Sequence, residues 1–205
     1  MSHPSTSPAG GGGGAGAADL TRQRLIRAAL ELFTTKGYHD TTTAQIAKKA
    51  GIAEGTIYRH FASKQQLVNE LYRAAQRWAS KVVQETARDP EAATARAQLT
   101  AVAHGLIDGA ARDTAIVKLG LLEPLDALLD EESRRSERDF RMAIERVIAE
   151  GKAQGGVRAG AVEVWAGVWL AAISYALEKI IAGDWEPGDA GVRLVIEAAW
   201  RSISA

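Results

Sequence analysis

Residues 41–61 of the chain read TTTAQIAKKAGIAEGTIYRHF, and this stretch decides the fold. Thr42, followed three residues later by Gln45, forms a capping box, which predicts the start of a short helix. Gly51 is the residue type that ends a helix in a left-handed conformation, and a second short helix is predicted over 54–60. Two short helices joined by a tight glycine-containing turn predict a helix-turn-helix.

The flanking residues predict further helices on both sides of this motif. Upstream, apolar residues recur at i, i+3, i+4, i+7 and i+8, which is one helical face: Leu25, Ala28, Ala29, Leu32 and Phe33. Downstream, Ser63 caps a long helix, and helices are predicted over 91–110, 112–121, 124–154, 161–183 and 188–203. No period-two alternation bounded by turn residues stands out, so the sequence predicts an all-α fold of about nine helices.

Composition excludes several classes of protein. The 205 residues, 46% of them hydrophobic, are enough for a packed core. The absence of Cys excludes disulfides, thiolate nucleophiles and Cys-based zinc sites. No window approaches 18 uncharged apolar residues, and the N-terminus lacks the basic start and apolar core of a signal peptide. We therefore expect a cytoplasmic protein with no membrane partner.

The formal net charge of zero hides an asymmetry along the chain. Residues 19–88 carry 12 Lys and Arg against 6 Asp and Glu, a net charge of +6, whereas residues 89–205 carry 13 against 19, a net charge of −6. A basic front and an acidic rear predict that only the front meets a polyanion. Residues 1–18 carry no charged side chain and consist mostly of Gly, Ala, Ser and Pro, which predicts a flexible tail.

The second helix of a helix-turn-helix enters the major groove, where its N-terminal residues meet base edges. Gly55 lacks a Cβ and would let this helix approach a phosphate closely, where free backbone amides attract anions. Thr56, Tyr58, Arg59 and His60 supply hydrogen-bond donors over the next turn. Arg59 is the side chain best suited to bidentate recognition of guanine, and its position equally suits a phosphate contact.

The run from residue 24 to residue 71 resembles the DNA-binding domain of TetR-type transcriptional repressors. The features that match at the family's spacing are Ala29, Phe33, Gly37, Tyr38, Thr42, Ile46, Ala47, Ala50, Gly51, Gly55, Tyr58, Phe61, Lys64 and Leu67. The resemblance implies a DNA-binding domain over 19–79, with its motif at 42–61. It also implies a ligand-binding and dimerisation domain over 80–205.

The resemblance implies roles for individual residues of the motif. Thr42 would cap the first helix, while Thr43 and Lys64 would contact phosphates. The groove-facing residues would be Gly55, Thr56, Tyr58, Arg59 and His60. Ala53 stands where relatives often place Ser or Thr, so the second helix loses a side-chain cap that is worth about 1 kcal/mol. Glu54 stands where a basic residue is common, and it would repel phosphate but accept from a cytosine amino group.

For the larger domain, the resemblance implies a chamber for a small-molecule effector and a homodimer interface, which would place two recognition helices on a pseudo-palindromic operator in double-stranded DNA. The candidates for the chamber wall are Trp78, His104, Leu119, Leu122, Phe140, Ile144, Trp165 and Trp169. The candidates for the interface are Gly167, Ala171, Ser174, Val192, Val195, Ile196, Ala199 and Trp200. Aromatic residues at helical spacing fit a core equally well. The apolar surroundings favour a hydrophobic effector over a charged one.

Two other functions are compatible with the sequence. One is a DNA-binding architectural or cell-division factor of the same fold without an inducer, and the other is a helical protein that binds a ligand or partner and has lost affinity for DNA. We expect no catalysis, cofactor or metal. No His pair has metal-ligand spacing, and the sequence contains neither a GxSxG motif nor a Gly-rich phosphate loop that precedes a strand. The charged run DEESRRSERDFR at 130–141 predicts an exposed helix face.

Overall fold

The computed structural model describes residues 13–89 and 92–205. The chain divides into two compact units, Met1–Leu67 and Val68–Ala205, which we call unit 1 and unit 2. The division falls twelve residues before the predicted domain boundary at 79, inside a long helix. The physical reason is that this helix binds the rest of unit 2 well before residue 79, since the Asn69 side chain donates to the Leu128 carbonyl and the Gln76 side chain donates to the Gly120 carbonyl.

Unit 1 contains the predicted motif and the helix that precedes it. Its elements are α1 (Gly13–Lys36), α2 (Thr43–Ala50), a 3-10 helix (Glu54–Arg59) and the first residues of α3 (Lys64–Thr86). Within it, apolar side chains of α1 and α2 are buried together with Ile57 and Phe61, as the helical spacing predicts. The sequence therefore predicts the core residues of unit 1 correctly.

The first helix starts earlier than the sequence indicates. Residues 1–12 of the expected tail lie outside the described residues, but 13–18 are part of α1. Ala15, Ala17 and Ala18 have the highest helix propensity of any residue type. The predicted flexible tail over 1–18 is therefore wrong for residues 13–18, which are helical despite three glycines.

The turn of the motif depends on Gly51. This residue adopts φ 69° and ψ 36°, the left-handed conformation, and its N–H donates to the carbonyls of Ala47 and Lys48 at the end of α2. At the other end of α2, Thr42 accepts from the Gln45 N–H while the Gln45 side chain accepts from the Thr42 N–H. The predicted capping box and glycine stop are both confirmed.

Unit 2 is also helical. After α3 it contains α4 (Ala95–Arg112), α5 (Thr114–Val117), a π-helix (Lys118–Leu122), a short 3-10 turn (Asp126–Leu128), α6 (Glu131–Ala153), α7 (Val162–Ala182) and α8 (Ala190–Ile203). Over the described ranges the only pairing of β type is one isolated bridge, between Val157 and Ser204. The expected all-α fold of about nine helices is confirmed.

The predicted helix over 124–154 is interrupted at its start. Pro124 follows the π-helix, and α6 begins only at Glu131, where the Asp130 side chain caps it by accepting from the Ser133 N–H at 2.8 Å. Proline lacks a backbone donor and disfavours helical geometry in the residue before it, so the chain leaves the helix there. The segment 118–130 instead consists of the π-helix, the 3-10 turn and irregular residues, and we call it the wall because part of it lines a cavity described below.

A buried polar network ties α3 to this wall inside unit 2. Arg73 donates to both carboxylate oxygens of Asp130, at 3.1 and 3.0 Å, and to the Ser133 hydroxyl. The Asn69 amide donates to the Leu128 carbonyl and accepts from the Asp130 N–H. Burial raises the pKa of Asp130, but hydrogen bonds from Ser133 and Arg73 outweigh it and leave the pKa below its ordinary value. These bonds fix the segment in place.

Among the described residues, α7 alone is long and apolar enough to cross a membrane, by length and composition only. Six of its residues, among them Trp169 and Ile173, are buried inside unit 2. A core helix of a soluble protein passes the same test, so this is a weak indication. The expectation of no membrane partner stays a prediction.

Two glycines of the motif provide a matched test of the turn. We predict that Gly51→Ala lowers the free energy of unfolding by about 1–2 kcal/mol, because a Cβ is strained at positive φ. Gly55→Ala, where φ is not positive and no atom lies within 4 Å of the added Cβ, should leave stability unchanged or raise it by up to about 1 kcal/mol. Urea denaturation of both variants measures this, and equal losses would contradict the role given to Gly51.

Candidate nucleic-acid interface and ligand cavity

The second element of the motif is a 3-10 helix, which gives it a narrow outer surface. With three residues per turn, side chains three positions apart lie in one row. Ile57 is buried in unit 1, whereas Gly55 and Tyr58 form one outer row and Thr56 and Arg59 another. Tyr58 is 56% exposed, and the space around Gly55 is open. The result is a strip of accessible backbone flanked by a phenol and a guanidinium.

Thr43 and Tyr58 lie together, although fifteen residues separate them. Their hydroxyl oxygens are 3.1 Å apart and share a hydrogen bond in which either can donate. This contact joins the first turn of α2 to the 3-10 helix and leaves further donor or acceptor capacity on both hydroxyls. The two helices of the motif thereby present one continuous polar surface.

Arg59 is exposed and His60 is half-buried at the end of the 3-10 helix. At its start, Ala53 provides no side-chain cap, as the sequence indicates, and Glu54 is exposed. Unit 1 as a whole carries 8 Lys and Arg against 4 Asp and Glu, a net charge of +4, and unit 2 carries 17 against 21, a net charge of −4. The positive net charge therefore belongs to unit 1, and the negative net charge belongs to unit 2.

Lys64 serves the structure of unit 1, whereas the resemblance implies a phosphate contact. Its ammonium donates to the carbonyls of Tyr38 at 2.8 Å and Thr41 at 2.7 Å, and lies 4.1 Å from the centre of the Tyr38 ring. Burial lowers the pKa of Lys64, while Asp40 acts in the opposite direction. The charge is thus engaged by the turn between α1 and α2.

Unit 2 contains a cavity of about 210 Å³ that is open to solvent on one side. Its apolar wall includes Leu106, Phe140, Ile173 and Leu177, and its other side is the irregular segment from Gly120 to Leu129. Gly120 allows this segment to approach α3, because a Cβ there would lie 2.1 Å from the Cβ of Ala75. The π-helix Lys118–Leu122, which overlaps the start of this segment, has a geometry found often at functional sites.

The predicted chamber residues divide between this cavity and the core. Leu122 and Phe140 line the cavity. Leu119, Ile144 and Trp169 are instead buried among the core residues of unit 2. An apolar helical stripe has the same spacing whether its residues line a cavity or pack in a core. The sequence pattern therefore predicted one set of residues for both.

The other three candidates lie away from the cavity lining. Trp78 packs on Gly109, where an added Cβ would lie 2.0 Å from its ring. Trp165 is partly buried against the core, and the guanidinium of Arg158 lies 5.6 Å from its ring centre. His104 is exposed and borders a shallow surface groove with Arg96.

Polar residues of the cavity were not singled out by the sequence pattern. Tyr72 and Gln76 lie one turn apart on α3, and Glu137 and Arg141 lie one turn apart on α6. The available signal was that Phe140, an apolar residue, interrupts the charged run at 130–141. A helix face that carries an aromatic among charges borders the interior on that side.

The candidates for a dimer interface also divide. Val192, Ile196 and Ala199 are buried in the core of unit 2 itself, whereas Ala171 is exposed and Gly167, Ser174, Val195 and Trp200 are half-buried. Ser174 also borders the cavity. The exposed apolar side chains of these two helices are Val164, Val168 and Tyr175 on α7 and Leu194 on α8, which we call the α7–α8 face. Their spacing of four and seven residues on α7 forms one stripe.

The arrangement in unit 1 is that of a helix-turn-helix unit, and comparisons specify its family. Residues 25–71 match the family described as bacterial regulatory proteins, tetR family. The HTH-type transcriptional regulator TcmR of Streptomyces glaucescens is 34% identical over 139 residues, which cover 63% of this chain and 59% of that protein. Residues 25–71 are therefore similar to the N-terminal segment of tetR-family regulatory proteins.

Other relatives agree over shorter or more distant matches. The fatty acid metabolism regulator protein of Bacillus subtilis is 24% identical, over 67% of this chain and 71% of its own length. A TetR family regulator from Marinobacter aquaeolei VT8 has the same fold, with a TM-score of 0.77, 18% identity and coverage of 93% of this chain and 98% of that one. The chain spans 59% of TcmR and 27–42% of three further curated relatives.

The role of Lys64 can be tested by stability. We predict that Lys64→Met lowers the free energy of unfolding by about 1–2 kcal/mol, because two charge-assisted hydrogen bonds to buried turn carbonyls are lost. Lys48→Met, at an exposed position on α2, is the matched control and should change stability by less than about 0.5 kcal/mol. Chemical denaturation measures both. If Lys64→Met is as stable as the control, the side chain does not brace the turn.

Proposed function

We propose that this protein is a sequence-specific, DNA-binding transcriptional regulator. The observation that carries the proposal is the strip formed by Gly55, Tyr58 and Arg59 on the 3-10 helix, because it offers open backbone and exposed donors within the family-matched segment. The hydrogen bond between the Thr43 and Tyr58 hydroxyls, whose oxygens are 3.1 Å apart, supports one orientation of this strip. The net charge of +4 on unit 1 supports attraction to the phosphate backbone.

We further propose that the regulator is a cytoplasmic homodimer and acts as a repressor. The α7–α8 face supports this, since Leu194 is 69% exposed and Tyr175 is 48% exposed on neighbouring helices. Exposed apolar patches on soluble proteins mark interaction sites. A symmetric dimer presents two copies of the strip, which matches a pseudo-palindromic operator in double-stranded DNA. A small-molecule effector in the cavity of unit 2 would then release the operator, provided that it binds the two states with different affinity.

The DNA contacts can be tested with duplexes selected from a random pool. We predict that Arg59→Ala weakens binding to the selected duplex by about tenfold or more, because base and phosphate contacts of arginine contribute about 1–3 kcal/mol. Gly55→Ala should weaken binding as well, because a Cβ blocks close approach of the backbone. Fluorescence anisotropy with labelled duplex provides the measurement.

Arg146→Ala is the control for this experiment, because Arg146 is exposed on α6 in unit 2. It should bind the duplex as the wild type does. If Arg59→Ala and Gly55→Ala bind the duplex with wild-type affinity, the strip is not part of the DNA interface. A wild-type protein that selects no duplex would contradict DNA binding altogether and would favour a protein that binds only ligands or partners.

The dimer can be tested on the α7–α8 face. We predict that Leu194→Glu converts a species of twice the chain mass of 21.8 kDa into one of the single chain mass, because it places a charge in an apolar contact. Leu20→Glu makes the same change at a residue of α1 that is 52% exposed and should not alter the mass. Sedimentation equilibrium distinguishes these outcomes. A monomeric wild type, or a dimeric Leu194→Glu variant, would contradict this interface.

A further inference from the structure

The cavity of unit 2 has an apolar part large enough for a small organic body. Leu106, Phe140, Ile173 and Leu177 are buried or nearly buried along it. An apolar cavity of about 150 Å³ accommodates benzene. The whole cavity of about 210 Å³, apolar and charged parts together, therefore accommodates a short hydrocarbon body with a polar group. This part of the wall alone does not select the charge of a ligand.

The rest of the lining is charged, and acidic groups dominate it. Three carboxylates line the cavity, Glu123, Asp126 and Glu137, against one guanidinium, Arg141. Lys118 forms an ion pair of 3.5 Å with Glu123. Over the part of the chain that the structure describes, neither Asp126 nor Glu137 has a side-chain ion pair within 4.0 Å. Arg141 is therefore the one guanidinium in the lining beside these two carboxylates, while Arg134, outside the lining, donates to the backbone carbonyl of Asp126 at 3.0 Å.

The pKa of the Tyr72 phenol reflects the charges in this part of the cavity. Burial, followed by the carboxylate of Glu137, raises its pKa to about 12, and Asp126 adds to the rise. The side chain of Gln76 lowers the pKa of Tyr72, and the charge of Arg141, which also lowers it, is the weakest of these influences. The negative groups thus outweigh the guanidinium at the Tyr72 hydroxyl, which favours a positively charged guest.

Gln76 provides a second, independent indication. Its side chain lines the cavity and is only 3% exposed, and its Nε2 donates to the Gly120 carbonyl at 2.8 Å. That bond fixes the amide orientation, and the Oε1 atom then has no donor among the described residues. A buried oxygen without a partner destabilises the site. A ligand that brings an N–H group removes this cost.

We propose that the effector cavity binds an organic ammonium ion with an apolar body, with the hydrocarbon against Leu106, Phe140 and Leu177 and the N–H groups among Glu137, Asp126 and Gln76. This inference rests on the proposed effector function of unit 2, and it changes the ligand class, because the sequence favoured a hydrophobic effector without charge. Glu137 was not a candidate from the sequence, because the charged run at 130–141 predicts an exposed helix face.

Three probes of equal chain length and different charge test the proposal: octylamine, octanol and octanoate. Isothermal titration of the full chain at pH 7 should give an affinity for octylamine about tenfold or more above that for octanol, with octanoate weakest, the order expected for one partly desolvated charge contact. Equal or tighter binding of octanol or octanoate would overturn the proposal, and so would the absence of octylamine binding.

Charge-neutral variants assign the preference to the cavity. Glu137→Gln should reduce the preference for octylamine over octanol at least severalfold, and Asp126→Asn should reduce it further in the double variant. Glu150→Gln is the matched control, because Glu150 is an exposed residue near the end of the same helix and is not part of the cavity lining. A preference that survives in the double variant would overturn the assignment.

Duplex binding without any probe is measured in parallel, so that the two proposals fail separately. If the protein binds duplex but does not prefer the amine, the proposed ligand class is contradicted and the DNA-binding function is not. An amine preference that depends on Glu137, in a protein that binds no duplex, would support the cavity and contradict the regulatory function. Thermal unfolding of each variant confirms that a lost preference does not reflect a lost fold.

Discussion

The ammonium of Lys64 is the contact on which the geometry of unit 1 depends. It joins the first turn of α3 to carbonyls of Tyr38 and Thr41, more than twenty residues earlier in the chain. Thr41 is itself buried, and its hydroxyl donates back to the Gly37 carbonyl. Because the turn between α1 and α2 is held from both sides, α2 keeps its place. The 3-10 helix then presents Tyr58 beside Thr43.

Much of unit 1 could be predicted from local patterns. The capping box at Thr42, the stop at Gly51 and the burial of Ile57 and Phe61 each depend on residues close in sequence. The 3-10 geometry and the role of Lys64 depend on contacts between distant residues, and no local pattern encodes them. A lysine before a long helix is equally compatible with a phosphate contact and with a structural brace, so only its partners decide.

Unit 2 was less predictable for a related reason. Its helices were expected, yet Pro124 and the cap at Asp130 break one of them and create the wall of the cavity. Hydrophobic periodicity separates inside from outside, but it does not separate a packed core from a cavity, so Ile144 and Phe140 looked alike. The polar lining arises where a charged helix face turns inward at Glu137. Such a site follows from packing and is recognised only in the fold.

The central claim, that unit 1 binds duplex DNA through a charged surface, is tested most directly by the salt dependence of duplex affinity. Each phosphate contact contributes a slope of about −0.9 when the logarithm of the binding constant is plotted against the logarithm of the salt concentration. We predict a slope of about −3 or steeper for the full chain, as several phosphate contacts require. A slope near zero would contradict the account, because no counterions would be released on binding.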